Sequence, residues 1–218
     1  MSRAETMENF KNTGLYAITA EKMSRGRSNV EVVTEMLAAG IQFLQYREKE
    51  KSARDMYEEC LVLRRLTKAA GASFIVDDFV DLALAVDADG VHIGQTDLPP
   101  FAVRQLLGPA KVIGLSTHNF EQLQAANALG DMVDYIGVGP VFSTATKAMT
   151  PAVGLDYVRH AAQSSLLPYV AIGGIKEHNI TAVAQAGAAT AAVVSGIVGA
   201  DDIRASIAGL RRCFRAEN

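Results

Sequence analysis

Short apolar runs rich in β-branched and aromatic residues alternate with longer amphipathic segments along nearly the whole chain. Eight such runs predict strands, at residues 15–20, 42–47, 73–77, 90–94, 111–116, 134–139, 169–174 and 190–195. Eight segments of helical periodicity follow them, near 28–39, 52–70, 79–87, 99–108, 119–129, 154–166, 177–186 and 201–214. Strands that alternate with helices form parallel βαβ units, because a parallel pair needs a long crossover connection.

The number and size of these units predict the α/β class and one closed barrel. A chain of 218 residues allows roughly 27 residues for each unit, which leaves no room for a second domain. We therefore predict a single (β/α)8 TIM barrel over residues 1–218, with residues 1–13 as an N-terminal extension. A doubly wound open sheet is the alternative, although the first strand is not followed by the GxGxxG pattern of a dinucleotide site.

Composition excludes some classes of partner. A net charge of −3 argues against nucleic-acid binding, which usually needs a basic face. The first 14 residues lack the apolar core of a signal peptide. Residues 180–200 carry no charge, but small residues and Gly187 favour a helix, a turn and a strand over a membrane span.

Cys60 and Cys213 show no metal-binding spacing. We expect a cytoplasmic protein with small-molecule partners, no nucleic acid and no membrane, and homo-oligomerisation stays open.

Basic residues alternate after the second predicted strand. Gln45, Arg47 and Lys49 are spaced by two, so they lie on one side of an extended chain. In a (β/α)8 barrel the active site lies at the C-terminal strand ends. An arginine fork with a lysine point charge suits a phosphate or diphosphate, and a solvated charge run is the alternative interpretation.

Acidic residues follow the third and fourth predicted strands. The stretch FIVDD ends in Asp77 and Asp78, and GQTD ends in Asp97. Because neighbouring loops of a barrel lie side by side, these carboxylates can converge on Mg²⁺, which needs only one or two carboxylates when a substrate phosphate supplies further oxygens. Helix capping is the alternative for Asp78 and Asp97, since each lies just before a predicted helix.

The remaining strand ends supply hydroxyls and glycines. Ser116 follows the fifth strand, and the long loop after the sixth contains TATK at 144–147. The seventh and eighth strands end in GGI and VVSG, where (β/α)8 barrels commonly build a phosphate site, and a packing constraint is the alternative for GGI. A phosphate site opposite a basic and metal-binding wall predicts the joining of two phosphorylated molecules with loss of diphosphate.

Six long motifs occur in order along nearly the whole chain: QYREK, VDDFVDLALAVDADGVHIGQTDLP, GLSTHN, DYIGVGPVFSTATK, VAIGGI and AVVSGI. In these motifs the chain resembles the thiamine phosphate synthases, (β/α)8 enzymes of thiamine biosynthesis. The resemblance implies condensation of 4-amino-5-hydroxymethyl-2-methylpyrimidine diphosphate with 4-methyl-5-(2-phosphoethyl)-thiazole to give thiamine monophosphate and diphosphate. It implies a Mg²⁺-assisted dissociative substitution, in which the thiazole nitrogen attacks a pyrimidine methylene cation and no protein nucleophile is needed.

The resemblance also implies roles for individual residues. The pyrimidine diphosphate would contact Gln45, Arg47, Lys49, Ser116 and Lys147. The catalytic contributions would come from Arg47, Lys49, Lys147 and Ser116. Mg²⁺ would be bound by Asp78 and Asp97. The thiazole phosphate would contact Thr144, Thr146, Gly174, Val194 and Ser195.

One position departs from the family pattern. The family usually has asparagine before the metal-binding aspartate, whereas this chain has Asp77. Asparagine can donate a hydrogen bond to a substrate and an ionised aspartate cannot. We expect Asp77 in the substrate site, where it could also act as a further metal ligand.

Three other functions fit parts of the pattern. A thiazole tautomerase shares the fold, but an isomerase of a monophosphate has no diphosphate to bind with the QxRxK residues. A Schiff-base aldolase would use Lys147, which lies on a loop where a pKa lowered by burial is not expected. A non-catalytic phosphate-binding barrel is the third.

Overall fold

Eight parallel strands close into one barrel in sequence order, with the first strand hydrogen-bonded to the last. The computed structural model describes residues 1–144 and 151–215. The strands are β1 (Leu15–Ile18), β2 (Phe43–Tyr46), β3 (Ser73–Asp77), β4 (Gly90–Ile93), β5 (Val112–Thr117), β6 (Tyr135–Val138), β7 (Tyr169–Ile172) and β8 (Ala191–Val193). The predicted (β/α)8 barrel is confirmed, and the alternative of an open doubly wound sheet is wrong.

In the described ranges, α-helices surround this barrel and one, the first, lies at its N-terminal end. They are α1 (Arg3–Thr13), α2 (Asn29–Ala38), α3 (Ala53–Ala69), α4 (Val80–Ala85), α5 (Pro100–Leu107), α6 (Phe120–Ala128), α7 (Gly154–Ser164), α8 (Ile180–Gln185), α9 (Ser195–Val198) and α10 (Ile203–Arg215). Local sequence fixes several starts: the Ser28 side chain accepts from the Glu31 N–H while the Glu31 carboxylate accepts from the Ser28 N–H, a capping box that satisfies two backbone donors of α2.

The eighth strand ends earlier than its apolar run suggests. Residues 190–195 are predicted as one strand, but the strand stops at Val193 and Ser195 begins the short helix α9. A β carbon on Gly196 would lie 2.9 Å from Cγ1 of Val193, so glycine lets the chain fold back tightly here. The prediction of strand geometry at Ser195 is therefore wrong, because periodicity does not reveal a tight strand-to-helix turn.

Residues 3–13, part of the expected N-terminal extension, form helix α1. Its Phe10 is only 1% exposed and packs at the N-terminal end of the barrel against the rings of Tyr16, Phe43 and Tyr135. The extension thus contributes to the core instead of lying outside it.

Side chains inside the barrel change character along its axis. An inner apolar cluster fills the interior with Phe10, Tyr16, Ile18, Phe43, Ile75, Val112, Tyr135, Val170 and Ala192. Because strand side chains alternate, the inward positions that follow carry the polar residues Gln45, Asp77, His92 and Ser116. The interior is therefore apolar at one end and polar at the C-terminal end, where a site can form.

No helix within residues 1–144 and 151–215 is long and apolar enough to cross a membrane. The uncharged stretch 180–200 contains α8 and β8, the helix and the strand that its small residues and central glycine predict, and also the short helix α9, which they do not predict.

Candidate active site

A cavity opens at the C-terminal ends of the strands, and residues at the end of every strand border it. Its lining comprises Tyr16, Ile18, Gln45, Arg47, Asp77, His92, Ser116, His118, Gly137, Gly139, Pro140, Thr144, Val170, Ile172, Gly173, Gly174, Ile175, Ala192, Val194 and Ser195. Apolar side chains of β1, β7 and β8 form one wall, and charged side chains at the ends of β2 and β3 form another. Such a cavity suits a ligand with an apolar ring and an anionic group.

Most of the residues predicted for the site border this cavity. They are Gln45, Arg47, Asp77, Ser116, Thr144, Gly174, Val194 and Ser195. Lys49 instead borders an adjoining cleft between the loops after β1 and β2, which Arg47 also lines. Asp78 contacts Lys49, and Asp97 lies in the loop after β4. Thr146 and Lys147 lie outside the described residues.

Two basic and two acidic side chains meet where β2 and β3 end. The pairing of Tyr46 with Val76 brings these strand ends together. Nε of Arg47 lies 3.4 Å from Oδ2 of Asp77, and Nζ of Lys49 lies 3.2 Å from the same oxygen. Lys49 also forms an ion pair with Asp78. The spacing of two in the sequence thus brings Arg47 and Lys49 to the acidic pair after β3.

The acidic neighbours keep Lys49 charged. Burial by itself lowers the pKa of Lys49, but the charge of Asp77 and the charge and hydrogen bond of Asp78 outweigh it and raise that pKa above its usual value. Because an unperturbed lysine is already protonated at neutral pH, Lys49 stays an ammonium, the form that can bind an anionic ligand.

Neither Asp78 nor Asp97 caps a helix, so that alternative is wrong. Helix α4 begins after Phe79 and α5 after Pro99, and neither helix start has a side-chain cap. Oδ2 of Asp97 accepts a hydrogen bond from the N–H of Gly94 at 2.7 Å, which closes the loop after β4. Asp78 has a φ of 61°, in the left-handed region that aspartate tolerates better than most residues.

The carboxylates of Asp78 and Asp97 are suited to a hard cation that is bound together with a substrate. In the part of the chain that the structure describes, no group of three or more His, Cys, Asp or Glu residues could hold a metal ion. Asp78 and Asp97 nevertheless offer carboxylate oxygens, the ligands that Mg²⁺ prefers, and Mg²⁺ commonly takes its other oxygens from water and phosphate. The residues present therefore fit Mg²⁺ together with a diphosphate.

The glycine turn after β7 packs against the loop after β6. A β carbon on Gly174 would lie 2.7 Å from the Ser143 carbonyl oxygen, and one on Gly173 would lie 2.4 Å from Cα of Pro140. Both glycines also have positive φ angles, 104° at Gly173 and 64° at Gly174. Packing alone thus requires glycine here, and phosphate binding by this turn stays a prediction.

Several cavity residues were not predicted from the sequence. Tyr16, Ile18, Val170, Ile172 and Ala192 occupy alternate inward positions of β1, β7 and β8, so the period of two could have identified them.

His118 is a further cavity residue without a predicted role. Its Nδ1 lies 2.6 Å from the carbonyl oxygen of Gly139, and this contact joins the residue that follows β5 to the loop after β6. Because a carbonyl only accepts, this Nδ1 carries the proton.

Comparison with known proteins identifies the family. The sequence profile described as "Thiamine monophosphate synthase" matches residues 15–197. The chain is 53% identical to thiamine-phosphate synthase of Pelotomaculum thermopropionicum, over 97% of this chain and 96% of that protein. It is 51% identical to thiamine-phosphate synthase of Caldicellulosiruptor saccharolyticus, over 95% and 93% respectively. Thiamine phosphate pyrophosphorylase from Pyrococcus furiosus superposes with a TM-score of 0.87 at 37% identity, covering 95% of this chain and 98% of that one. The chain therefore belongs to the thiamine monophosphate synthase family.

Proposed function

We propose that this protein joins 4-amino-5-hydroxymethyl-2-methylpyrimidine diphosphate to 4-methyl-5-(2-phosphoethyl)-thiazole, yielding thiamine monophosphate and diphosphate. It is a transferase, like its relatives named thiamine-phosphate synthase. The observation that carries the proposal is the meeting of Arg47 and Lys49 with Asp77 and Asp78 beside a cavity with an apolar wall.

Departure of the diphosphate is the step that the charged wall serves. Arg47 and Lys49 neutralise negative charge that builds up as the carbon–oxygen bond breaks, an effect that a partly dry site strengthens. Asp78 and Asp97 would hold Mg²⁺, which when bound supplies further positive charge to the leaving diphosphate. Lys147 is assigned to the same group by resemblance to the family. No protein nucleophile takes part.

Positioning of the two rings is the second contribution of this chain. Gln45 and Ser116 border the cavity and would contact the pyrimidine. Thr144, Gly174 and the backbone at Val194 and Ser195 would hold the thiazole phosphate, with Thr146 by resemblance. Holding the thiazole nitrogen next to the pyrimidine methylene carbon makes the attack effectively unimolecular. Asp77, which touches Arg47 and Lys49, would shape the diphosphate site.

We further propose a cytoplasmic enzyme that folds as one barrel domain. Support comes from the two cysteines: Cys60 is buried, and neither it nor Cys213 forms a disulfide, which is usual for a reducing compartment.

The test is a product assay with a metal-site variant. Both substrates with Mg²⁺ should yield thiamine monophosphate, and EDTA should abolish its formation. Asp78→Asn should lower the rate by about 100-fold or more, because an amide binds Mg²⁺ less well than a carboxylate at a position that stabilises the leaving group. Asparagine also tolerates the left-handed backbone at this residue.

The matched control is Asp81→Asn, an exposed carboxylate on α4, which should keep the wild-type rate. Unchanged turnover in EDTA, or full activity of Asp78→Asn with an unchanged melting temperature, would contradict the metal assignment. Conversion of a thiazole phosphate alone would favour the tautomerase, and borohydride trapping of a carbonyl substrate on Lys147 would favour the aldolase.

A further inference from the structure

Five polar side chains form a continuous chain of hydrogen bonds across the barrel interior. Nε2 of Gln45 donates to the hydroxyl of Tyr16 at 2.8 Å. The hydroxyls of Tyr16 and Tyr135 lie 3.0 Å apart, and that of Tyr135 lies 3.0 Å from Nδ1 of His92. Nε2 of His92 lies 2.9 Å from Oγ of Ser116. The two ends, Gln45 and Ser116, both border the cavity.

The proton positions in this chain follow from its first member. Because the Gln45 amide nitrogen can only donate, Tyr16 accepts from it and turns its own proton toward Tyr135. Tyr135 accepts from Tyr16 and donates to Nδ1 of His92. Nδ1 of a neutral imidazole can accept only when the proton is on Nε2. His92 therefore donates from Nε2 to Ser116.

The opposite direction leaves a buried donor without an acceptor. If Ser116 donated to His92, the protons would run toward Tyr16, which would then accept from both Gln45 and Tyr135. The hydroxyl proton of Tyr16 would have no acceptor in the chain, and Tyr16 is only 1% exposed. Leaving such a donor unsatisfied is costly. Burial also raises the pKa of both tyrosines, so their protons stay in place at neutral pH.

One glycine of the barrel leaves space for this chain of hydrogen bonds. A β carbon on Gly114 would lie 2.4 Å from Nδ1 of His92 and 2.3 Å from Cζ of Tyr135. Gly114 lies in the middle of β5, where its φ is not positive, so backbone strain does not require glycine there. Any larger residue would push the two rings apart.

We propose that His92, Tyr135 and Tyr16 are positioning residues that keep Ser116 a hydrogen-bond donor toward the cavity. Since Oγ of Ser116 accepts from His92, its own proton is free to meet an acceptor on the substrate. Resting on the proposed function, this acceptor belongs to the pyrimidine diphosphate, whose aminopyrimidine ring nitrogens are acceptors. The chain of hydrogen bonds thereby supplies a donor of fixed direction that helps to orient that ring.

The deciding variant is Tyr135→Phe, which removes the proton that Nδ1 of His92 accepts. His92 can then hold its proton on either nitrogen, and Ser116 loses its fixed direction. We expect kcat for thiamine monophosphate formation to fall about 10-fold, as for the loss of one buried hydrogen bond, while KM for the thiazole phosphate changes less than about 2-fold. The kcat of Tyr16→Phe should fall less than that of Tyr135→Phe, because Tyr135 can still donate to His92.

Tyr169→Phe is the matched control. The Tyr169 hydroxyl donates to the Gly187 carbonyl outside this chain, so the variant loses one hydrogen bond and should keep the wild-type kcat. Equal kcat in Tyr135→Phe and wild type, or an equal fall in Tyr169→Phe, would overturn the proposal.

A readout independent of turnover is the tautomer of His92 in ¹⁵N-histidine-labelled protein. Two-bond ¹H–¹⁵N spectra distinguish a proton on Nε2 from one on Nδ1, and loss of signals in His92→Gln identifies this histidine among the four. We expect the Nε2–H form in the wild type and a changed spectrum in Tyr135→Phe. A wild-type Nδ1–H form would overturn the proposal even if the enzyme makes thiamine monophosphate. If no product forms, the proposed function fails while the tautomer still decides the inference.

Discussion

Arg47 and Lys49 each have negatively charged partners both within the protein and in the proposed substrate. Both contact the carboxylate of Asp77, whose side chain is only 10% exposed, and both are proposed to bind the leaving diphosphate. A carboxylate at this distance competes with an anionic ligand for the same cations, and the low exposure limits screening by water. Asparagine, usual at this position in the family, would not compete in this way.

Asp77→Asn should therefore tighten the binding of diphosphate. We expect the dissociation constant of inorganic diphosphate, measured by calorimetry with Mg²⁺ at low salt, to fall about 5- to 10-fold, because one negative charge leaves the site. The gain should shrink as salt is added. Asp81→Asn removes the same charge from the exposed face of α4 and should change the constant less than about 2-fold. Unchanged or weaker binding in Asp77→Asn would mean that Asp77 holds Arg47 in place.

Helix α1 acts as a structural element of the barrel. Phe10 closes the N-terminal end of the interior, with its ring centroid 4.6 Å from that of Tyr135 and 5.2 Å from that of Phe43. Edge and tilted contacts between aromatic rings add to the gain from burial alone. The helix therefore supports Tyr16 and Tyr135, the two tyrosine rings of the hydrogen-bond chain.

Phe10→Ala should lower the free energy of unfolding by about 3–5 kcal/mol, since it leaves a cavity among three aromatic rings. Urea denaturation followed by circular dichroism measures the change. Phe120→Ala provides the control, because the Phe120 side chain on α6 is 49% exposed and its loss should cost about 1 kcal/mol or less. Equal losses in the two variants would show that α1 packs only loosely.

At the scale of the whole molecule, the barrel was predictable because the alternation of apolar strand patterns and amphipathic helix patterns is repeated eight times along the sequence. Each predicted strand and helix begins and ends within three residues of the observed first and last residues. Polar residues such as Arg47 and Asp77 could be placed at the cavity because parallel strands of a barrel all end on one side. Helix α1 was not predicted, since residues 1–13 are rich in charge and only the tertiary contacts of Phe10 explain their order.

The interior hydrogen-bond chain could not be predicted from local pattern. His92 on β4 meets Tyr135 on β6 and Ser116 on β5 only because Gly114 leaves space between the strands. Such a contact depends on the barrel register, which periodicity does not specify. Lys147 and Thr146, predicted on the loop after β6, lie outside the described residues and stay predictions.

In the proposed reaction the barrel brings two anionic substrates to one cavity, and the stoichiometry of that reaction tests the proposal most directly. Phosphorus NMR can follow the pyrimidine diphosphate and the thiazole phosphate together in the presence of enzyme and Mg²⁺. We predict that both are consumed at equal rates and that thiamine monophosphate and inorganic diphosphate appear in equal amounts. Persistence of the pyrimidine diphosphate, or its hydrolysis without consumption of the thiazole phosphate, would contradict the proposed condensation.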